Sequence, residues 1–261
     1  MYFNQNYYPN PKMYGSSHVI KNYLNLDKDF LLPLTIPHGV NPTISANRDL
    51  IDLHNHEPIY VAFTKQIYEQ TKKIKKTILF PHPWIFLTEN LIEKKGAGTI
   101  FIGPANFRDN YKSLYNEIIN YEKFEKPYAI LVKKRDITEK VVNWWAKKSV
   151  KVETAGDVFD KNFYYNLLEI FLKYNFIATP YMSSSAIFAA AIKKKILVIP
   201  NLIIKDFEDH EITHLHELNS VKYNNIRNIW LNILSEDIEI SSNQAKKLLG
   251  YDFLDNIENL R

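Results

Sequence analysis

The sequence predicts an α/β protein on parallel β-sheet, its second half a doubly wound domain. Three observations carry this. Beyond residue 95, short apolar runs alternate with helix-like segments of about 10–15 residues, the signature of strand–helix–strand units. The stretch from Phe176 to Pro200, FIATPYMSSSAIFAAAIKKKILVIP, reads as strand, serine turn, small-residue helix, lysine cluster and second strand. The turns after successive strands carry glycine, cations, an acid and serines. Those residue types meet ligands at the carboxyl ends of parallel strands.

The first lobe, residues 1–95, begins with a polar, aromatic and proline-containing stretch that reads as extended, followed by a helix-like segment, His18–Leu26. Leu31–Ile36 is an apolar run ending in Pro37-His38-Gly39, a buried strand feeding a glycine turn. Tyr60–Thr64 is a second strand, Lys65–Lys75 a basic helix, and Ile78–Phe80 a third strand closed by Pro81-His82-Pro83. The lysine-glycine segment Glu93–Gly98 reads as a linker.

In the second domain, residues 96–261, Thr99–Ile102, Tyr128–Val132 and Lys151–Thr154 read as strands, with helices over Tyr111–Phe124 and Glu139–Lys148 between them. Asp160–Tyr174 is a helix whose apolar positions Phe163, Leu167, Ile170 and Phe171 form one buried face. Phe176–Thr179, the helix Ser185–Ile192 and Ile196–Ile199 complete the alternation, and a further helix is expected over Asn225–Leu234.

The post-strand turns give the candidate site. They are His38-Gly39, then Gly103 to Asn106, then Lys133-Lys134-Arg135, then Gly156-Asp157, then Ser183, Ser184 and Ser185. Serines at a helix N-terminus add hydroxyls to unpaired N–H groups and a positive dipole end, a cradle for phosphate or carboxylate. One serine is also a good helix cap, so capping competes with ligand binding there. Solvated lysines and a capping Asp157 are the corresponding bland readings of the other turns. Together the turns suit a nucleotide diphosphate, with cations and N–H donors for phosphates and an acid for a hydroxyl or base edge.

Composition narrows the field. The chain has no cysteine, which removes disulfides and Cys-ligated metal centres. It shows neither a signal-peptide pattern nor an apolar run of about 20 residues, so a cytoplasmic protein is expected. The net charge of +4 is spread over short lysine clusters. These suit a phosphorylated substrate or a peripheral contact with an anionic membrane face, and are too dispersed for a nucleic-acid groove.

The order of motifs, a His-Gly turn, the proline-flanked His82, the run Thr154-Ala155-Gly156-Asp157 with Asp160 and Phe163, then a serine turn before a small-residue helix, resembles bacterial glycosyltransferases of the GT-B architecture. That group builds capsule, lipopolysaccharide and related surface glycans and is broadly similar to the UDP-N-acetylglucosamine 2-epimerase-like folds. Ala245 to Gly250 resembles the closing helix of such enzymes. The resemblance implies two Rossmann-like lobes, the N-terminal one reduced, and transfer of a sugar from a nucleotide-sugar to a glycan or lipid-linked glycan acceptor. It implies His38 as general base, or as a donor to the charge developing on the phosphate, and Ser183–Ser185 on the diphosphate. Lys133, Lys134 or Arg135 would neutralise charge in place of a metal, so no cofactor is expected. His82 reads mainly as structural, with a ligand role as the competing reading. The chain departs from the family in its short first lobe, in having no glutamate in AIFAAAIKKK, and in having no glycine-rich loop before it. A non-catalytic nucleotide-sugar or glycan-binding protein of the same fold is therefore the alternative.

Other clusters compete. His210-Glu211-Ile212-Thr213-His214 spells the zinc-peptidase pattern, in which two histidines share a helix face and the glutamate acts as base. Its place after a sheet strand argues for a surface loop instead. His54 and His56 meet on one face only in a strand. Tyr7, Tyr8, Tyr14, Trp84, Trp144 and Trp145 offer flat faces for sugars, though aromatics mostly supply core. Adjacent Trp144 and Trp145 cannot both face inward on a helix, which leaves one exposed or covered by a partner, such as a second copy of the chain.

Overall fold

Among the described residues, every strand pairing in the computed structural model is parallel. The structure describes residues 13–37, 39–40, 58–103, 115–116, 118–120, 123–179, 183–198 and 228–258. The chain forms two compact units. The first comprises Met1–Ile92, Asp157–Tyr165 and Ala245–Arg261; the second comprises Glu93–Gly156 and Asn166–Gln244.

In the first unit, helix α1 (Ser16–Leu24) precedes strands β1 (Leu34–Thr35), β2 (Ile59–Ala62) and β3 (Thr77–Leu79). They pair in the order β1-β2-β3. Helix α2 (Lys65–Thr71) makes the β2-to-β3 crossover, and Thr64 starts it by accepting the Ile67 N–H at 3.2 Å. Tyr60, Ala62 and Ile67 are buried together, with Tyr68 and Leu79 packed on them. The apolar run expected over Leu31–Ile36 yields only a two-residue strand, because Leu31 is 84% exposed and Pro33 interrupts it.

The Pro81-His82-Pro83 segment, which reads as the close of the third strand, also opens helix α3 (Pro83–Thr88). Proline suits the first helical position because its missing N–H would have no helical partner there. This unit also holds Gly250, the turn Tyr251–Phe253 and helix α8 (Asp255–Glu258); the Leu249 carbonyl accepts the His82 N–H at 2.8 Å.

The second unit holds β4 (Thr99–Ile102), β5 (Tyr128–Leu131), β6 (Val150–Glu153), β7 (Phe176–Thr179) and β8 (Lys195–Val198). Their order is β6-β5-β4-β7-β8. The chain adds β5 and β6 on one side of β4, then returns to add β7 and β8 on the other. This is doubly wound, as expected. Helix α4 (Glu139–Ala146) links β5 to β6, α5 (Phe163–Leu172) precedes β7, and α6 (Ser184–Ala191) links β7 to β8. The division between units falls within α5 and again within α7 (Ile238–Leu248). A further helical stretch covers 228–233.

Phe101, Ile130, Val141, Trp145, Val150 and Ala178 form the heart of this core. Trp145 is fully buried, whereas Trp144 is half-buried with its ring edge-on to Tyr115 at 5.5 Å.

Glu93–Gly98, read as a linker, opens the second unit and is hydrogen-bonded to it: Ala97 N–H donates to the Lys173 carbonyl at 2.9 Å, and buried Lys194 donates to the Lys94 carbonyl at 3.0 Å. Gly98 has φ 76°, and a Cβ there would stand 2.1 Å from the Pro127 oxygen, so only glycine fits. The lysine run is also committed, since Lys193 pairs with Glu239 at 2.5 Å and Lys195 pairs with Glu236. Among the described residues no helix is long and apolar enough to cross a membrane.

Candidate functional site

The five-stranded sheet reverses direction of growth at β4 and β7. In doubly wound sheets the crevice beyond the carboxyl ends of those two strands is where ligands bind. The pairings Phe101↔Ala178 and Ile102↔Leu131 set the ends of β4, β5 and β7 level. The turns that follow therefore start from one edge. Gly103 begins the turn after β4, and Ser183 heads the helix after β7, so the two flank the reversal.

Ser183 is the N-cap of α6, in extended conformation (φ −128°, ψ 156°), and its Oγ accepts the Ala186 N–H at 3.2 Å. The capping reading of one serine is thus realised. Ser184 and Ser185 are the first two helical residues, and all three serines are half-buried. Behind them Ala186 to Ala191 is buried at every position. Small side chains let this helix pack closely along its length while its positive N-terminal end faces the strand edge. Gly103 spends its N–H on the Leu131 carbonyl at 3.0 Å, extending the ladder rather than opening toward a ligand.

One strand further out, Lys133, Lys134 and Arg135 are exposed at the end of β5. Lys134–Asp136 forms a single 3-10 turn, and Arg135 Nε stands 4.0 Å from the buried Asp136 carboxylate. With strands spaced about 4.8 Å apart, this cationic turn lies about 10 Å along the edge from the serine turn. Gly156 (φ 101°) follows β6 at the sheet border, about 14 Å from the serine turn on the same spacing. The reversal therefore brings together Gly103 and Ser183–Ser185, with the cationic turn beside them and Gly156 at the far end. Asp157 belongs to the first unit, where its Oδ1 accepts the Phe159 N–H at 2.9 Å.

His82, also in the first unit, is fully enclosed. Its Nδ1 accepts the Trp84 N–H at 3.0 Å, so the ring proton sits on Nε2, which lies 3.3 Å from the Tyr164 hydroxyl. Phe63 packs edge-on to the ring at 4.9 Å. Burial lowers the imidazole pKa to about 3, which keeps it neutral. The same enclosure pushes the Tyr164 hydroxyl pKa upward, chiefly by desolvation. This arrangement caps a helix. Gly39 is half-buried after β1, while His38 and Asn106 lie outside the described residues. So do Tyr7, Tyr8, His54, His56, His210, Glu211 and His214.

Sequence reading overlooks one histidine. His18, taken only as the start of a helix-like stretch, is half-buried, and burial first, then the charges of Lys161, Lys28 and Lys21, holds its imidazole pKa below the ordinary value. Helix spacing relates His18 to Lys21, but Lys161 lies far along the chain.

No protein-family model, curated protein or solved structure matches this chain.

Proposed function

We propose that the chain is a nucleotide-sugar-dependent glycosyltransferase whose donor diphosphate binds over Ser183–Ser185, at the reversal of the five-stranded sheet. The observation that carries this reading is the strand order β6-β5-β4-β7-β8, which sets a serine-headed helix at the position where such sheets take ligands. First-turn N–H groups and serine hydroxyls suit phosphate oxygens. Lys133, Lys134 and Arg135, one strand beyond β4, supply cations for charge that develops on the departing phosphate.

In the proposed step an acceptor hydroxyl oxygen attacks the anomeric carbon of the donor. The bond from that carbon to the phosphate oxygen breaks, the nucleotide leaves with the electron pair, and the hydroxyl proton passes to His38. The acceptor is a glycan or lipid-linked glycan of a bacterial surface polymer, and the two units correspond to the two lobes of a GT-B enzyme.

Binding without transfer is the second reading. It is favoured by α6, whose buried alanine and isoleucine positions offer no acid for a ribose. A thermal-shift panel of UDP-, GDP- and CMP-sugars tests both, with at least one donor expected to raise the melting temperature. Donor hydrolysis or transfer that disappears in His38→Ala, with binding retained, identifies the enzyme. Donor binding without turnover in the wild type identifies the binder. If no donor shifts the melting temperature, both readings fail.

A further inference from the structure

The first unit's sheet has little backbone pairing of its own. Its strands hold two, four and three residues. A sheet of this size needs a covered face and packed neighbours to persist. The Phe80 N–H donates to the Ala62 carbonyl at 3.1 Å, so β2 and β3 end level, at Phe63 and Phe80.

What covers that carboxyl edge comes from far along the chain. Helix α7 closes where the Leu249 N–H donates to the Ala245 carbonyl and the Gly250 N–H to the Lys247 carbonyl, both at 3.1 Å. Gly250, at φ 75° and ψ 27°, then turns the chain into Tyr251–Phe253. A Cβ at Gly250 would stand 2.9 Å from the Phe63 carbonyl oxygen, 3.2 Å from that of Phe80 and 3.3 Å from the Pro81 Cα. The Gly250 backbone therefore lies against the ends of both strands, with no space for a side chain and a φ that favours glycine. One residue earlier, the Leu249 carbonyl accepts the His82 N–H at 2.8 Å. His82 is also the cap of α3, so the same contact holds the start of that helix. Leu249, Phe253 and Ile257 are buried, and all belong to the first unit.

We propose that Leu249–Ile257 is a clasp: its docking closes the carboxyl edge of β2 and β3, and its release opens the first unit while the second stays folded. The clasp seals strand ends and a helix start that would otherwise meet water, so β2, β3 and α3 share its stability as one cooperative unit. Every residue of the second unit precedes Ala245 in the chain, and the second unit lacks none of its strands when the clasp is undocked. The inference rests on contacts within the first unit and does not depend on the transferase reading.

The test is hydrogen–deuterium exchange of the full chain, read by mass spectrometry, in wild type, Gly250→Val and Ile257→Ala. Valine at Gly250 is strained by the backbone angle, and its Cβ meets two backbone oxygens that cannot swing aside. Ile257→Ala leaves the Gly250 backbone untouched and only opens a cavity under the clasp, so it carries the test if Gly250→Val does not accumulate as folded protein. In each folded variant, exchange should quicken at least about tenfold in peptides from β2, β3 and α3, and stay within about twofold of wild type in those from β5 and β6. Faster exchange confined to residues 245–258 would make the segment a local feature and overturn the proposal. An equal rise in β5 and β6, or no rise in β2, β3 and α3, would overturn it too.

Discussion

Helices α3 and α6 both start just after a parallel strand, and each is capped by a side chain in extended conformation, His82 in one and Ser183 in the other. The local device is the same: a side-chain atom accepts an N–H from the first helical turn, at 3.0 Å in α3 and 3.2 Å in α6. The surroundings differ. His82 is closed in by Phe63, Tyr164 and Trp84 and is 1% exposed. Ser183 is half-buried at the reversal of a doubly wound sheet. A capped helix start that is sealed holds the fold together. The same start left half-open at a sheet reversal is available to an anion.

The largest expected effect is at the sealed cap. His82→Ala removes the acceptor of the Trp84 N–H, leaves a cavity among aromatic rings, and should cost about 3 kcal/mol in urea unfolding. Donor binding, measured under conditions where the variant is folded, should not change. Equal loss of binding would erase the distinction between the two caps.

The second effect is in pH. His82 titrates near 6.5 unfolded but near 3 when folded, because burial disfavours its charge. Between those values the unfolded chain binds more protons, so stability is full above about pH 6.5 and falls as pH drops toward 3. The contribution of this one group approaches about 1.4 kcal/mol per pH unit. His82→Asn, which keeps a cap but cannot titrate, should flatten that slope. An unchanged slope would assign the pH dependence to other groups.

Ser183→Ala should cost about 1 kcal/mol, the value of one exposed-side cap. Because Asp also caps well, Ser183→Asp should restore that stability while placing a negative charge where the anion is proposed to sit. The smallest effect belongs to the start of β8. Lys195→Ala breaks a solvent-exposed pair with Glu236 and should lower the melting temperature least of these variants, with added salt removing the difference.

The sheets were legible because strands covered on both faces read as apolar runs. Thr99–Ile102 and Phe176–Thr179 occur with the expected bounds. Helix α3 was hidden because Pro81 and Pro83 read as breakers, while Pro83 occupies the one helical position that favours proline. Strand order, the docking of Glu93–Gly98 and the partners of the lysine run are non-local. Ala97 meets Lys173, and Lys193 meets Glu239, through contacts that no local pattern encodes. The serine turn was visible as a motif, but its place at the sheet reversal followed only from the order β6-β5-β4-β7-β8.

The proposed function seats the donor diphosphate at the half-open cap of Ser183. Calorimetric titration of wild type, Ser183→Ala and Ser183→Asp with the nucleotide-sugar that stabilises the wild type tests it most directly. Binding should weaken modestly in Ser183→Ala and be lost in Ser183→Asp, although Ser183→Asp unfolds at the wild-type temperature. Undiminished binding to folded Ser183→Asp would rule out an anion seated at this cap.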